Sequence, residues 1–206
     1  MASGKTVSNK TPYAYAYGSL YADKISNSSK GISAEISAST GKDKNTNYAS
    51  KVTIDGGDGK DTIFNYASNV SIDGGAGNNK IESNGSFVTI AGGNGNDSVS
   101  LTGRTKRLIY YAAYNTLSDA WKHGNDVIYG FGSTDTVSIA GGSYTRSTVG
   151  NDVVLKIGSG SVTLKGAKGK TINILVTQAS SSGLTKTSGS TTASAKGANY
   201  TNKNSN

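Results

Sequence analysis

The chain repeats itself every 18 residues, and nothing else in it constrains the fold as strongly. Gly56-Gly57, Gly74-Gly75 and Gly92-Gly93 open the same six-residue phrase: GGDGKD (56–61), GGAGNN (74–79) and GGNGND (92–97). An aliphatic residue follows two places after each phrase, at Ile63, Ile81 and Val99. Between phrases, Val52-Thr53-Ile54 recurs as Val70-Ser71-Ile72 and Val88-Thr89-Ile90, and NYAS at 47–50 returns at 65–68. A unit this short cannot bury a face alone, so residues 23–103 predict a solenoid whose coils cover one another. Each coil holds two short strands. Strand alternation turns Val52, Ile54, Val70, Ile72, Val88 and Ile90 inward, and Thr53, Ser71 and Thr89 outward. Equivalent strands then pair in parallel. One period before GGDGKD stands ASTGKD (38–43), a first coil without the double glycine, with Asn45 where the next coil has Ile63.

Composition agrees with a thin fold. Only 34% of the chain is hydrophobic, against 28 glycines, so a large globular core would lack the apolar area to offset chain entropy. Cysteine is absent, which excludes disulfides, thiolate metal sites and a cysteine nucleophile. The net charge is +8, but the lysines are scattered among serines and threonines and read as a solvated surface, not a nucleic-acid site. No stretch is long and apolar enough to span a membrane, and MASGKTVSNK lacks the apolar core of a secretory signal.

The segments outside the repeat read as follows. Residues 1–22 carry Tyr13, Tyr15 and Tyr17 in strict alternation and predict a strand capping the first coil, with an aromatic sugar platform as the sharper alternative. Residues 104–177 leave the register and predict a β-rich C-terminal cap. Within them, 118–124 suggests one helical turn, GND returns at 124–126, and Asp152–Ile157 with Ser161–Lys165 suggests a hairpin around Gly158-Ser159-Gly160. Residues 178–206 are mostly Ser, Thr, Lys, Gly and Asn, and predict a flexible tail.

The glycine phrase also has chemistry. Closely spaced glycines fold the backbone tightly and present its carbonyls, and a sixth-place Asp sets a hard carboxylate beside them. Carbonyl and carboxylate oxygens together suit calcium. The nine-residue pattern GGxGxDxUx, with U aliphatic, matches Gly56–Phe64 and Gly92–Ser100 in full, and Gly74–Glu82 with Asn79 in place of Asp. This resembles the RTX, or haemolysin-type, calcium-binding repeat. The segment 124–139 is similar to the part that follows such repeats in bacterial surface and secreted proteins. The resemblance implies an all-β parallel β-roll with calcium between successive glycine turns. The implied metal residues are Asp43, Asp61, Asn79 and Asp97 at the sixth place, Asp58 and Asn94 at the third, and Gly57, Gly59, Gly75, Gly77, Gly93 and Gly95 through the turns. The second nonapeptides, NYASNVSID (65–73) and SNGSFVTIA (83–91), lack the phrase, so at most one edge of the roll can bind metal this way. With so few carboxylates, about one to three weak ions are expected, with Kd on the order of 10⁻⁴–10⁻³ M.

An enzyme is not expected. His123 is the lone histidine, and its nearness in sequence to Ser118 and Asp119 is no triad. Outside the turns Asp23, Glu35, Glu82, Asp119 and Asp135 form no pair spaced for a cleft. A flat ice- or glycan-binding array would need more than the one column Thr53, Ser71, Thr89. The expected function is therefore a calcium-binding, non-catalytic structural or adhesion module of an exported bacterial protein, at the cell surface or outside it, by type I-like export with an uncleaved C-terminal signal. Partners would be calcium and extracellular glycans or surface proteins. The alternative is a polysaccharide-binding or polysaccharide-modifying accessory module that uses the tyrosines.

Overall fold

The structure is a computed structural model that describes residues 4–10, 15–28, 34–103, 108–113, 124–140, 143–177 and 189–193. The expected helical turn at 118–124, and Tyr13, lie outside these residues except for Gly124.

Strands alternate between two sheets. β1 (Thr6–Asn9) and β2 (Tyr15–Ser19) come first, then β3 (Lys24–Asn27) and β4 (Ala34–Gly41), and then β5 (Lys44–Asn47) and β6 (Val52–Asp55). After the two-residue β7 (Asp58–Gly59), β8 (Thr62–Asn65) and β9 (Ser71–Asp73) repeat the pair. So do β10 (Lys80–Ser83) with β11 (Thr89–Ala91), and β12 (Ser98–Leu101) with β13 (Ile109–Ala113). One sheet runs β1-β3-β5-β8-β10-β12 and the other β2-β4-β6-β9-β11-β13, and all of these neighbours are parallel. This is a parallel β-solenoid.

The side-chain columns follow from the register. In the first sheet Ile25, Asn45, Ile63, Ile81 and Val99 stack; in the second Ala16, Ile36, Ile54, Ile72, Ile90 and Tyr110 do. Every aliphatic residue expected inside is buried. A parallel stack needs the same side-chain size at each level, and the repeat supplies it. Asn45 breaks its column: it is fully buried, and neither side-chain polar atom has a hydrogen-bond partner among the described residues.

Parallel coiling extends beyond both ends of the exact repeat. At the start, β1 and β2 do not lie across the end as a cap strand; they form a coil of their own. There Tyr15 and Tyr17 face outward and Ala16 inward. The step from Asp23 to Asp43 is 20 residues, which hides this coil from an 18-residue search. At the other end β14 (Asn125–Tyr129) pairs in parallel with β12, and β15 (Thr136–Ala140) with β13, so residues read as departing from the register still coil. The end is then covered by β16 (Tyr144–Val149), β17 (Asp152–Ile157) and β18 (Gly160–Leu164), an antiparallel meander whose β17–β18 hairpin is the expected one. β18 docks in parallel on β14, and β19 (Ile172–Thr177) docks in parallel on β15. Most of the segment expected to be a flexible tail lies outside the described residues; within it, β20 (Gly189–Ala193) pairs antiparallel with β19.

Candidate metal centre at the glycine-turn edge

The two edges of the solenoid are built differently. On the NYAS edge, buried amides form a ladder. Asn27 Nδ2 donates to Asn47 Oδ1 at 3.1 Å, Asn47 Nδ2 to Asn65 Oδ1 at 2.9 Å, and Asn65 Nδ2 to Ser83 Oγ at 3.2 Å. Asn47 and Asn65 also donate to the carbonyls of Ala49 and Ala67, both at 2.8 Å. Outside the ladder Tyr48 stacks on Tyr66 with ring centroids 4.9 Å apart. An amide both donates and accepts, so the ladder above Asn27 closes with no ion, while Asn27 Oδ1 has no hydrogen-bond partner among the described residues.

The glycine-turn edge has the opposite character. Gly57, Gly75 and Gly93 sit at φ of 81°, 80° and 92°. A Cβ on Gly75 would lie 2.0 Å from the Gly57 carbonyl oxygen, so the coils meet backbone to backbone here. One coil before Gly57, Ser39 takes the same conformation, φ 75°, without glycine's freedom. Asp55 and Asp73, just before the double glycines, accept the Gly57 and Gly75 N–H groups at 2.9 and 3.0 Å. They are turn formers, a role that the sequence reading missed although Asp-Gly-Gly announces it.

Behind the turns runs a column of buried acids. Asp23, Asp43, Asp61, Asn79, Asp97 and Asp126 are each at most 2% exposed. Each passes one oxygen to the N–H of the residue below it in the column. Asp43 Oδ1 accepts from Asp23 at 2.6 Å, Asp61 from Asp43 at 2.7 Å, Asn79 from Asp61 at 2.9 Å, Asp97 from Asn79 at 2.7 Å, and Asp126 from Asp97 at 3.0 Å. The sequence places Asp43, Asp61, Asn79 and Asp97 here. It hides Asp23 and Asp126, because their steps are 20 and 29 residues, although GND at 124–126 marked the second. Asp58, by contrast, is exposed on the outside of its turn.

The second carboxylate oxygens carry the functional question. Oδ2 of Asp43, of Asp61 and of Asp97 is buried with no hydrogen-bond partner among the described residues. A charged oxygen so placed is costly unless a proton or a cation meets it. The carboxyls are accordingly pushed up. Burial is the main cause, and neighbouring acids add to it: Asp61 reaches about 6 with Asp43, Asp55 and Asp58 nearby, and Asp97 about 8 with Asp126 and Asp73 nearby. Asp43 is raised as well, by burial and the charge of Asp23.

A neutral oxygen shares the place beside Asp61. A Cβ on Gly56 would lie 3.1 Å from Asp61 Oδ2 and 2.5 Å from the Gly74 carbonyl oxygen, so both oxygens border the gap that the glycine leaves. One coil up, the same gap holds the Asn79 amide, whose Nδ2 lies 3.4 Å from the Gly92 carbonyl and 3.5 Å from that of Gly77. A donor thus stands where Asp61 presents an acceptor. At Asp43 the gap is narrower, because buried Ala38 stands where the next coils have Gly56 and Gly74.

The turn carbonyls are partly engaged. Gly57 and Gly75 accept from Ala76 and Asn94, both at 2.9 Å, and Ala76 and Asn94 accept from Gly59 and Gly77, both at 2.7 Å. Each carbonyl keeps a second lone pair. Among the described residues no three acidic or histidine side chains converge, so a cation here would rest on one or two carboxylates and on backbone oxygens. Hard oxygen donors of this kind fit calcium.

No family model matches the chain, and no curated relative does. Among solved structures it is similar to the extracellular lipase LipA from Serratia marcescens, at 16% identity and a TM-score of 0.39. The likeness covers 76% of this chain and 38% of the lipase. At that level it transfers nothing of the lipase's activity. Among the described residues no helix is long and apolar enough to cross a membrane.

Proposed function

We propose that the protein is a calcium-binding, non-catalytic structural module, of adhesin-like or stalk type, in an exported protein. The observation that supports this most is the buried Asp61 Oδ2, which has no hydrogen-bond partner among the described residues and borders the same gap as the Gly74 carbonyl. Bound calcium supplies fixed positive charge that compensates this oxygen without a proton. Asp61, with the Gly74 carbonyl, is the best-formed place, and the RTX-like phrase supplies the same residue types for the same ion. The Asn ladder and the packed aliphatic columns hold the coils together without metal, so calcium adds stability to a roll that is already folded.

Calcium uptake by equilibrium dialysis, together with melting in calcium and in chelator, tests this. A site with Kd of about 1 mM adds about 1.4 kcal/mol at about 10 mM calcium. That corresponds to a rise of about 3–6 °C. Asp61→Asn is expected to lose much of the rise. No uptake and no shift at that concentration would sink the proposal.

A second reading, a polysaccharide-binding module, has one observation in its favour. Tyr15 and Tyr17 are 64% and 58% exposed with nearly parallel rings. A glycan array decides it; binding abolished by Tyr15→Ala with Tyr17→Ala would establish the surface.

A further inference from the structure

The column has six members, five acids and Asn79, and the two acids at its ends differ from the other three. Asp23 is saturated by protein donors: the N–H groups of Lys5 and Ser19, and the Ser19 hydroxyl at 2.9 Å. Asp126 accepts the Asp97 N–H on Oδ1 and the Tyr110 hydroxyl on Oδ2, at 2.8 Å. The interior acids Asp43, Asp61 and Asp97 have no such second donor among the described residues.

Tyr110 is the informative residue. It lies in the aliphatic column of the second sheet, between Ile90 and Val137. Its ring is fully buried, and its hydroxyl reaches the glycine-turn edge. A Cβ on Gly56 would meet the Gly74 carbonyl at 2.5 Å, and one on Gly74 the Gly92 carbonyl at 2.3 Å. A Cβ on Gly92 would meet the Tyr110 hydroxyl instead, at 2.6 Å, with Asp97 Oδ2 at 2.5 Å. The phenol therefore takes the place of the next coil's glycine carbonyl. The sequence before Asp126 has no double glycine, and the Tyr110 hydroxyl lies between the Gly92 gap and Asp126. Burial, reinforced by the charge of Asp126, holds the phenol proton on its oxygen.

We propose that Tyr110 ends the cation row: its hydroxyl takes the place at Asp126 that a divalent cation takes along the interior acids, and the interval between Asp97 and Asp126 stays closed to metal. Asp23, satisfied by Ser19 and Lys5, ends the row at the other side. The inference rests on the reading of this edge as a calcium site. It goes beyond the repeat pattern, which would count the Asp of GND 124–126 as one more ligand.

Calcium stoichiometry by equilibrium dialysis on the full chain tests it, in wild type, Tyr110→Phe, Asp126→Asn and the double variant. Tyr110→Phe removes the phenol hydroxyl from the interval between Asp97 and Asp126, and is expected to bind one further equivalent. The double variant returns to the wild-type count, and Asp126→Asn alone keeps it. A folded Tyr110→Phe with the wild-type count overturns the proposal. So does an equivalent lost in Asp126→Asn, and this arm holds even if Tyr110→Phe does not fold. Uptake by wild type without a gain in the variant refutes the row's end alone, whereas no uptake by any of the four proteins refutes the calcium reading with it.

Discussion

Two buried asparagines on one strand should respond to the same substitution with opposite signs. Asn45 and Asn47 both lie on β5 and are both fully buried. Asn47 donates to Asn65 and Ala49 and accepts from Asn27, whereas Asn45 stands between Ile25 and Ile63 with no partner for its oxygen or nitrogen among the described residues. A buried polar group without a partner costs about 1–3 kcal/mol. Asn45→Val removes the amide at nearly constant volume and supplies the β-branched shape that its column already has. Some of the gain is offset where the new methyls meet Ile25 and Ile63, so a net stabilisation of about 2 kcal/mol is expected. For a chain of this size that raises the melting temperature by about 4–8 °C. Asn47→Val strands its neighbours in the ladder and should cost about 1–3 kcal/mol. Urea and thermal unfolding, followed by circular dichroism, measure both. If Asn45→Val is neutral or destabilising while Asn47→Val behaves as stated, the amide of Asn45 is satisfied in solution and the reasoning about its column is wrong.

Further outcomes follow from the glycine-turn edge. Asn79→Asp replaces an amide that lies near two carbonyls by a carboxylate between Asp61 and Asp97; it should lower the melt in chelator and raise calcium affinity, and calorimetry showing neither removes position 79 from the site. Folded Asp97 keeps its proton to about pH 8 and folded Asp61 to about 6, while unfolded Asp loses it near about 4, so the folded chain binds more protons between these limits. Stability in chelator should therefore fall as pH rises through that window, and less so in Asp97→Asn, with denaturation midpoints at about pH 5 and 8 as the comparison. Gly75→Ala drives a methyl to 2.0 Å from the Gly57 carbonyl and should cost more than about 3 kcal/mol, whereas Gly150→Ala, at φ 60° with open space around it, should cost about 1 kcal/mol. Equal losses would mean that backbone conformation alone, not the contact between coils, demands glycine there.

What the sequence determined by itself is what a fixed period can carry. The in-register aliphatic residues require stacked coils with parallel strands, because only that arrangement buries each of them against its own kind. The same period placed Asp43, Asp61, Asn79 and Asp97 in one column, set Tyr48 on Tyr66, and marked Asn45 as the wrong residue for its position. Tertiary structure decided what the period could not express. The coils at either end advance by 20 or 29 residues instead of 18, since a solenoid fixes the height of a coil but not the length of the loop that leaves and re-enters it. Asp23 therefore joins the column unannounced, and Asp126 is marked only by the return of GND at 124–126. Tyr110 has no local signal at all. Its hydroxyl matters only because it reaches Asp126 and the gap beside Gly92, and that is a relation between residues far apart in the chain and adjacent only once it is folded.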